Sequence, residues 1–410
     1  MKRTAKRDLT RQQQLARGPM DLPFFALTLL LLAIGLVMLL SASSYNASME
    51  ATSHYDALYY FKRQAVFAVL GVIVMYIISR MDYQWFRWMS AIILFVAILL
   101  LIAVLIPHVG VTHNKATRWL KIGVEFQPSE IAKIGMVMYL ANKYSKRPQK
   151  QLARLDLKRR NTKKHKLRAN WDYFLHWSDL DEMWKDIVLL LVVFALLAKE
   201  PHLSAVILIG VASAAVLFAA GVKLFWFILG GGLGAFGVWF VLVVVGYNGG
   251  RIAAWLNPWE DAGDAGYQIV QSIYAIASGG LSGLGLGLGR QKYGYLPEEQ
   301  NDYIFSIVCE ELGFIGAAII IILFALLIIR GYWLAIHARD RFGALMIVGV
   351  TTLLAVQVFL NIAVVSNLIP STGISLPFFS YGGTALLIQC AEMGVILSVS
   401  RQIPAPAQGE

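Results

Sequence analysis

Side chains that could do chemistry are concentrated in one polar stretch, residues 248–302, between two apolar runs. Guanidinium and ammonium groups hold phosphate oxygens and a carboxylate accepts a proton from an attacking hydroxyl, so this mixture suits group transfer from a pyrophosphate-bearing lipid. A solvated loop with scattered charges is the alternative, and these facts alone favour it. The charged residues are Arg251, Glu260, Asp261, Asp264, Arg290, Lys292, Glu298, Glu299 and Asp302.

Asp302 stands where this polar stretch meets the next apolar run. Aspartate is a good helix N-cap, so capping competes with catalysis as its role. Glu310 and Glu311 follow in the first turns of that helix, either as functional groups or as carboxylates satisfied by neighbouring helices. The six glycines from Gly279 to Gly289 lack the Gly-Lys-Ser/Thr ending of a nucleotide phosphate loop and predict only flexibility or a close approach of the backbone.

Two further charged groups lie in or beside apolar runs, where charges are costly and are therefore functional candidates. Glu130 and Lys133 follow Pro128 and share one helix face, so they form either a structural ion pair or part of a substrate site. Lys199 opens a Lys-Glu-Pro-His sequence at the end of another run, where a substrate role competes with snorkelling to the membrane interface.

Motifs of several other protein classes are missing from the sequence. Without Gly-x-Ser-x-Gly, His-Glu-x-x-His or Asp-x-Asp-x-Asp-Gly, a serine hydrolase, a zinc protease and an EF-hand lack support. Cys309 and Cys390 lie in apolar runs and predict neither a disulfide framework nor redox chemistry. The histidines form no cluster with metal-ligand spacing, so we predict no metal site from them. They are His54, His108, His113, His165, His176, His202 and His337.

The composition of the chain predicts that these side chains belong to a membrane protein. Of the 410 residues 58% are apolar and 15% charged, with a mean hydropathy of +0.61, against about 45–50% and about 25% in soluble domains. A soluble globule of this composition would expose large apolar patches, which monomers rarely tolerate. We predict an all-α, polytopic membrane protein of one domain, residues 1–410, with a basic tail (1–20), a basic and amphipathic loop (144–186) and a long loop (248–302).

Ten apolar runs can cross a hydrocarbon core about 30 Å thick as helices, and the fourth and fifth are the shortest. The first follows a basic leader, as a secretory signal does, but both its apolar run and that leader are too long for one, so it is a first transmembrane helix. The runs are Phe24–Leu40, Gln64–Ser79, Met89–Ile106, Ile131–Asn142, Ile187–Ala198, Leu203–Val222, Leu224–Tyr247, Leu312–Ile329, Phe342–Leu368 and Ala385–Val399.

The basic residues predict the orientation, because Lys and Arg are retained on the cytoplasmic face. With both termini cytoplasmic, 26 of the 36 basic residues fall on cytoplasmic segments. The outer face then carries residues 41–63, 107–127, 248–302 between the seventh and eighth spans, and 369–384. Chemistry on the outer surface would lie in these stretches.

The cytoplasmic loop is expected to contact the membrane. Residues 146–168 hold eleven Lys/Arg and one acid without interleaved aromatic side chains, which favours anionic lipid or topology control over nucleic acid. Aromatic and methionine side chains at helix-like spacing follow this stretch. They predict a helix that lies along the membrane interface, with partner binding as a second possibility. Its residues are Trp171, Phe174, Trp177, Met183 and Trp184.

Several motifs follow one another along the chain in a characteristic order. They are Arg118-Trp119; Gln127-Pro128-Ser129-Glu130 with Lys133; Asn257-Pro258-Trp259 and Gly266-Tyr267-Gln268; Leu296-Pro297-Glu298 through Asn301-Asp302-Tyr303-Ile304-Phe305 to Glu310-Glu311-Leu312-Gly313; and Leu376-Pro377-Phe378-Phe379-Ser380-Tyr381-Gly382-Gly383. In combination they resemble the SEDS proteins, those of shape, elongation, division and sporulation. Residues 296–305 and 369–383 are closer to the division and sporulation branch (FtsW, SpoVE) than to the elongation branch (RodA).

The resemblance implies a ten-helix peptidoglycan glycosyltransferase that polymerises lipid II at the outer face of the bacterial cytoplasmic membrane. It also implies a cognate class B penicillin-binding protein and other cell-division membrane proteins as partners. Asp302 matches the carboxylate that the family needs for activity, and further motif positions give candidate substrate-binding residues. These are Arg118, Glu130, Lys133, Glu298 and Ser380.

Two positions depart from the family pattern. Lys115 stands where the family commonly has glycine before x-Arg-Trp. His202 stands where it commonly has aspartate after the fifth span. The missing carboxylate puts in doubt any acid or cation-binding role for this turn.

The expected mechanism has Asp302 accept the proton of a lipid II 4-hydroxyl while that oxygen attacks the anomeric carbon of the lipid-linked glycan. Undecaprenyl pyrophosphate leaves with inversion, neutralised by Arg or Lys side chains or by a divalent cation. Candidates for that cationic role are Lys121, Arg251, Arg290 and Lys292. A lipid II flippase, for which inverted repeats would be expected, and a noncatalytic scaffold remain open as alternatives.

Overall fold

The computed structural model describes residues 18–113, 116–146, 177–239, 249–264 and 266–403. The fold is mostly helical (71%). The predicted basic tail up to residue 17, most of the basic loop with Trp171 and Phe174, and Lys115 lie outside the described residues. The helices are α1 (Leu22–Met49), α2 (Tyr59–Arg80), α3 (Gln84–Val104), α4 (Pro128–Ser145), α5 (Trp177–Lys199), α6 (Leu203–Ala219), α7 (Leu224–Trp239), α8 (Gly249–Leu256), α9 (Tyr267–Gly279), α10 (Ile304–His337), α11 (Arg341–Val365) and α12 (Gly383–Ser400).

Each of the ten predicted runs overlaps one of these helices. Within the described ranges, six helices are long and apolar enough to cross a bilayer: α1, α2, α3, α10, α11 and α12. Two shorter apolar helices, Leu203–Ala219 and Leu224–Gly234, belong to α6 and α7. The seventh run extends past Trp239 into residues outside the description.

The centre of the bundle is formed by α4, α11 and α12. In the most apolar windows of α11 and α12, 67% of the residues are buried, against 22% in α2. Helix α4 is buried along most of its length although it carries Glu130 and Lys133. A helix that holds charges can occupy the centre only if its neighbours or its own residues satisfy them.

One end of the bundle holds both ends of the described chain, and we call it the terminal end. There the Gly18 N–H donates to the Arg401 carbonyl at 2.7 Å. Asp21 caps α1 by accepting the Phe24 N–H, and its carboxylate binds Arg330. Charged side chains therefore hold the helix ends together where apolar packing stops.

The opposite end, which we call the loop end, contains a three-stranded antiparallel sheet that the all-α prediction did not include. Its strands are β1 (Gly110–His113), β2 (Ala116–Ile122) and β3 (Val124–Phe126). Trp119 pairs with Val111, and Leu120 pairs with both Gly110 and Phe126. Val111, Trp119 and Phe126 are β-branched or aromatic and favour strands. The three strands follow one another closely in sequence, so each can form hydrogen bonds with the next.

The glycine-rich segment of the long loop lies directly on α10, which confirms the predicted close backbone approach. Helix α10 is broken at Gly313 (φ 65°, ψ −170°). The freed carbonyls of Glu310 and Glu311 accept the N–H groups of Leu284 and Gly285, each at 3.0 Å. The segment thus replaces helical hydrogen bonds that the break removes.

Gly283 provides a test of this contact. A methyl group at this position would lie 2.2 Å from the Glu311 carbonyl oxygen, and its φ is +79°. Gly287 has a similar φ of +83°, but a methyl group there would meet nothing within 4 Å, so it is the matched control. We expect Gly287→Ala to cost about 1–2 kcal/mol of stability and Gly283→Ala roughly 1–3 kcal/mol more, measured by unfolding in detergent. Equal losses would contradict the close contact.

Candidate active site

Asp302 lies at the loop end, immediately before α10. Tyr303 is the N-cap residue of α10 and makes no side-chain cap hydrogen bond, so Asp302 stands one residue before the cap position. Asp302 is half-buried, which leaves part of its surface open to solvent. A Cβ at Gly373 would lie only 3.3 Å from its Oδ2 atom. The carboxylate is therefore covered on one side by the backbone that precedes α12.

The backbone leading into Asp302 is fixed by the last two helical regions. Three consecutive carbonyls, those of residues 300–302, each accept a hydrogen bond from later in the chain. In chain order they accept the Tyr381 N–H at 2.8 Å, the Ser380 hydroxyl at 2.6 Å and the Asn361 side-chain amide at 2.8 Å. Ser380, a predicted substrate-binding residue, is thus engaged in holding this backbone.

Glu298, another predicted substrate-binding residue, begins the same turn. Its φ is +55°, in the left-handed region, and its Oε2 accepts the Asn301 amide at 2.5 Å. A backbone conformation that ordinary residues avoid requires support from its surroundings, and such residues cluster at functional sites. Glu298 is half-buried and keeps the turn before Asp302 tight.

The neighbouring Glu299 is fully buried, and the sequence alone did not single it out. Its Oε1 accepts the side-chain amide of Asn46 from α1. Burial raises the pKa of Glu299 to about 8, and the nearby Glu298 and Glu50 add to this while a backbone hydrogen bond opposes it. At neutral pH the side chain is mostly a neutral acid, so it adds little charge beside Asp302.

Glu130 and Lys133 form the predicted pair, with the Lys133 Nζ 2.7 Å from the Glu130 Oε2. Both are buried in α4, in agreement with the ion-pair interpretation. Glu392 of α12 is buried within electrostatic range of both groups. The prediction missed Glu392, although a glutamate inside an apolar run was a signal of the kind already used for Glu130.

The turn from α5 to α6 packs beside this pair. Arg118 donates through Nε to the Glu200 carbonyl at 3.2 Å and through Nη2 to the Pro201 carbonyl, so β2 is joined to the turn. Burial lowers the pKa of His202 to about 3, helped by Arg118 and Lys133. His202 is therefore neutral at physiological pH.

Glu200 in this turn is 1% exposed, and neither carboxyl oxygen has a hydrogen-bond partner among the described residues. Burial raises its pKa to about 8, against the opposing effect of Arg118. The folded state binds the Glu200 proton more tightly than the unfolded chain does. The stabilising contribution of this protonated side chain should therefore be fully present below pH about 4.5 and decrease as the pH rises towards 8. Glu200→Gln should remove this loss in thermal unfolding measured from pH 5 to 9. An unchanged pH profile would show that Glu200 is ionised.

The remaining cationic candidates differ in how far their side chains are exposed. Lys292 is buried, with its Nζ 2.7 Å from Glu311 and 3.0 Å from Ser41, so its charge is used inside the protein and it is not retained as a phosphate ligand. Arg290 and Lys199 are exposed. Lys121 is exposed and lies 3.9 Å from Glu125. Arg251 is in α8, and its side chain is outside the described part of the chain.

Neighbours satisfy both Glu310 and Glu311, as in the second of the two predicted alternatives, but these neighbours lie mainly on the long loop and not on neighbouring helices. The Glu310 carboxylate accepts the backbone N–H groups of Arg290 and Gln291. Glu311 accepts the Gly287 N–H and binds Lys292. These carboxylates fix the long loop to α10.

An apolar groove of about 290 Å³ is lined by residues of α1, α10 and the long loop. It is lined by Ala33, Ile34, Val37, Met38, Leu286 and Leu312. In the described ranges no three His, Cys, Asp or Glu side chains are arranged to hold a metal ion.

Comparison with known proteins agrees with this architecture. The cell cycle protein family FtsW/RodA/SpoVE matches residues 21–404. Stage V sporulation protein E of Bacillus subtilis is 38% identical over 383 residues, 93% of this chain and 97% of that protein. A protein of Trichlorobacter lovleyi named probable peptidoglycan glycosyltransferase FtsW is 38% identical over 406 residues, 97% of this chain and 99% of its own length.

Solved structures show the same fold. A chain of a peptidoglycan synthase complex, studied for the coordination of polymerization and crosslinking, superposes with a TM-score of 0.69 at 26% identity, covering 93% of this chain and 98% of that one. The rod shape determining protein RodA of Thermus thermophilus has a TM-score of 0.64 at 25% identity, with 94% and 98% coverage. The likeness extends over nearly the whole length in each case.

Proposed function

The chain belongs to the FtsW/RodA/SpoVE family of cell cycle proteins, and we infer that it is a peptidoglycan glycosyltransferase that polymerises lipid II into glycan strands. The observation that carries this inference is Asp302, which is half-buried at the loop end and follows a backbone whose carbonyls at residues 300–302 each accept a hydrogen bond. A general base must be held within hydrogen-bond reach of the hydroxyl it deprotonates. The matching relatives span this chain almost completely, so the activity is proposed for the protein as a whole.

We propose ten membrane spans with both termini in the cytoplasm and the loop end on the outer face of the cytoplasmic membrane. The contact between residues 18 and 401 supports an even number of spans. The excess of basic residues on the segments near the terminal end supports the orientation, because Lys and Arg are retained inside. A substrate with a polyprenyl tail then keeps its lipid in the bilayer while its sugars reach Asp302.

In the proposed reaction the 4-hydroxyl of an incoming lipid II gives its proton to the Asp302 carboxylate. The resulting oxygen nucleophile attacks the anomeric carbon of the growing chain, and a new C–O bond forms as the bond to undecaprenyl pyrophosphate breaks. The electron pair of the broken bond leaves on the pyrophosphate, and the anomeric carbon is inverted. Asp302 afterwards releases its proton to water.

The leaving pyrophosphate requires positive charge. Arg290 is the candidate that fits this role best, because its guanidinium group matches phosphate geometry and is exposed on the long loop. Arg118 lies at the turn beside the Glu130–Lys133 pair, where its Nε and Nη2 atoms donate to the Glu200 and Pro201 carbonyls. Lys133 is occupied by Glu130, so its proposed part is to hold α4 in place near the substrate.

A penicillin-binding protein is the proposed partner, since one of the similar structures is a chain of a peptidoglycan synthase complex. Polymerisation by this chain would supply the strands that a class B transpeptidase crosslinks. Assembly with other cell-division membrane proteins is proposed from the similarity to FtsW and SpoVE. Scaffolding of that kind is compatible with catalysis.

Transport of lipid II is the competing function, and reconstitution separates the two. Wild-type protein in vesicles with its partner and purified lipid II should form glycan polymer, detected on gels, in the absence of any other polymerase. Lipid scrambling is measured in parallel with a fluorescent lipid II. Scrambling without polymer formation would show that the protein is a flippase and not a glycosyltransferase. The absence of both activities would favour the noncatalytic scaffold.

A further inference from the structure

Asn361 is a buried amide without a part in the mechanism above. It lies near the loop end of α11 and is 0% exposed. An amide in an apolar helix is costly unless it makes hydrogen bonds. Its Nδ2 atom donates to the backbone carbonyls of Asp302 at 2.8 Å and of Ile374 at 2.7 Å. One side chain therefore joins two segments that are remote in sequence.

The two segments are the ones that determine where the carboxylate lies. Asp302 carries it, and residue 373 approaches it so closely that a methyl group on Gly373 would lie 3.3 Å from Oδ2. Gly373 has a φ of +69°, a conformation that glycine adopts without strain. Fixing Ile374 next to it keeps this backbone beside the carboxylate.

We propose that Asn361 is a positioning residue that acts through Asp302: its amide holds the Asp302 backbone and the 373–374 backbone at a fixed separation, so that the carboxylate points at the acceptor hydroxyl. The inference rests on the proposed function, in which Asp302 is the general base. Without the amide the two carbonyls lose a common donor, and the carboxylate can move away from the reacting oxygen. Misplacement by about 1 Å can cost on the order of 10²-fold in rate.

Gln357 is a matched control for Asn361. It lies one helical turn earlier in α11, is 5% exposed, and its Nε2 donates to the Ser375 carbonyl at 3.1 Å. It therefore holds the same loop with the same chemical group but does not contact residue 302. Comparing Asn361→Leu with Gln357→Leu separates the loss of a loop contact from the loss of the contact to Asp302.

The test measures steady-state polymerisation of lipid II by the full chain reconstituted with its partner. Asn361→Leu should lower kcat by about 10²-fold with KM for lipid II unchanged, whereas Gln357→Leu should keep kcat near the wild-type value. Thermal midpoints of both variants in detergent show whether the fold is kept. Asn361→Ala, which removes the amide N–H groups without adding a charge beside Asp302, decides the question if Asn361→Leu does not fold.

Two results would overturn the inference. One is a kcat for both Asn361 variants that matches Gln357→Leu. The other is a raised KM with an unchanged kcat, which would assign Asn361 to substrate binding. Failure of the proposed function looks different, because then the wild-type protein forms no polymer or Asp302→Asn polymerises at the wild-type rate.

Discussion

Replacing Asp302 with asparagine should lower the rate of lipid II polymerisation by about 10²–10⁴-fold, the range that general-base catalysis contributes. Asparagine has nearly the same shape and leaves the backbone hydrogen bonds of residues 300–302 in place. What it removes is the ability to accept a proton. The loss should therefore appear in kcat, while the thermal midpoint and KM for lipid II stay close to those of the wild type.

The control is a carboxylate on the same loop. Asp264 is exposed between α8 and α9, so Asp264→Asn changes the loop charge equally without touching the candidate site. We expect this variant to polymerise at the wild-type rate. Wild-type activity of Asp302→Asn, measured by gel analysis of glycan chains, would mean that the base lies elsewhere.

Lys292→Met should destabilise the protein by about 3–5 kcal/mol, because it leaves the buried Glu311 carboxylate without its cation. Both side chains of this pair are 5% exposed or less, and the Nζ–Oε1 distance is 2.7 Å. The Ser41 hydroxyl and the Gly287 N–H remain as partners of Glu311. They donate hydrogen bonds but cannot neutralise the charge. Unfolding in detergent measures the difference.

An exposed pair gives the comparison. Lys62 binds Asp56 at the same distance of 2.7 Å, but their side chains are 61% and 39% exposed. Lys62→Met should therefore leave the stability nearly unchanged. Adding Glu311→Gln to Lys292→Met should restore most of the lost stability. A stable Lys292→Met protein that is inactive would return Lys292 to the role of phosphate ligand.

The sequence predicted the helices well because the bilayer restricts the backbone conformations that an apolar segment can adopt. About twenty apolar residues in lipid can satisfy their backbone only as a helix, so each of the ten runs falls on one. The sheet at residues 110–126 was missed because it lies outside the apolar runs, where that restriction does not apply. Its β-branched and aromatic residues favour strands. Three short strands, however, show too little alternation of apolar and polar residues to predict a sheet beside ten predicted helical runs.

For the site, the cost of charge near hydrocarbon singled out the Glu130–Lys133 pair, whereas Asp302 was singled out by its position before an apolar run and by its match to the family motif. The sequence could not tell which cations were already engaged, because the pairing of Lys292 with Glu311 depends on the break at Gly313. Nor could it find Asn361, since an amide at the end of a helix has no distinctive spacing. Its importance arises from two carbonyls that only the folded chain brings together.

The hydrogen-bond donors that hold the carbonyls of residues 300–302 lie at positions 361 to 381, so they are synthesised after Asp302. During biosynthesis the carboxylate thus emerges before the three groups that hold the carbonyls of residues 300–302. A nascent chain interrupted before residue 381 would possess the acid without its geometry. If Asp302 is the general base as proposed, catalysis by the chain has to wait until the last helices are inserted.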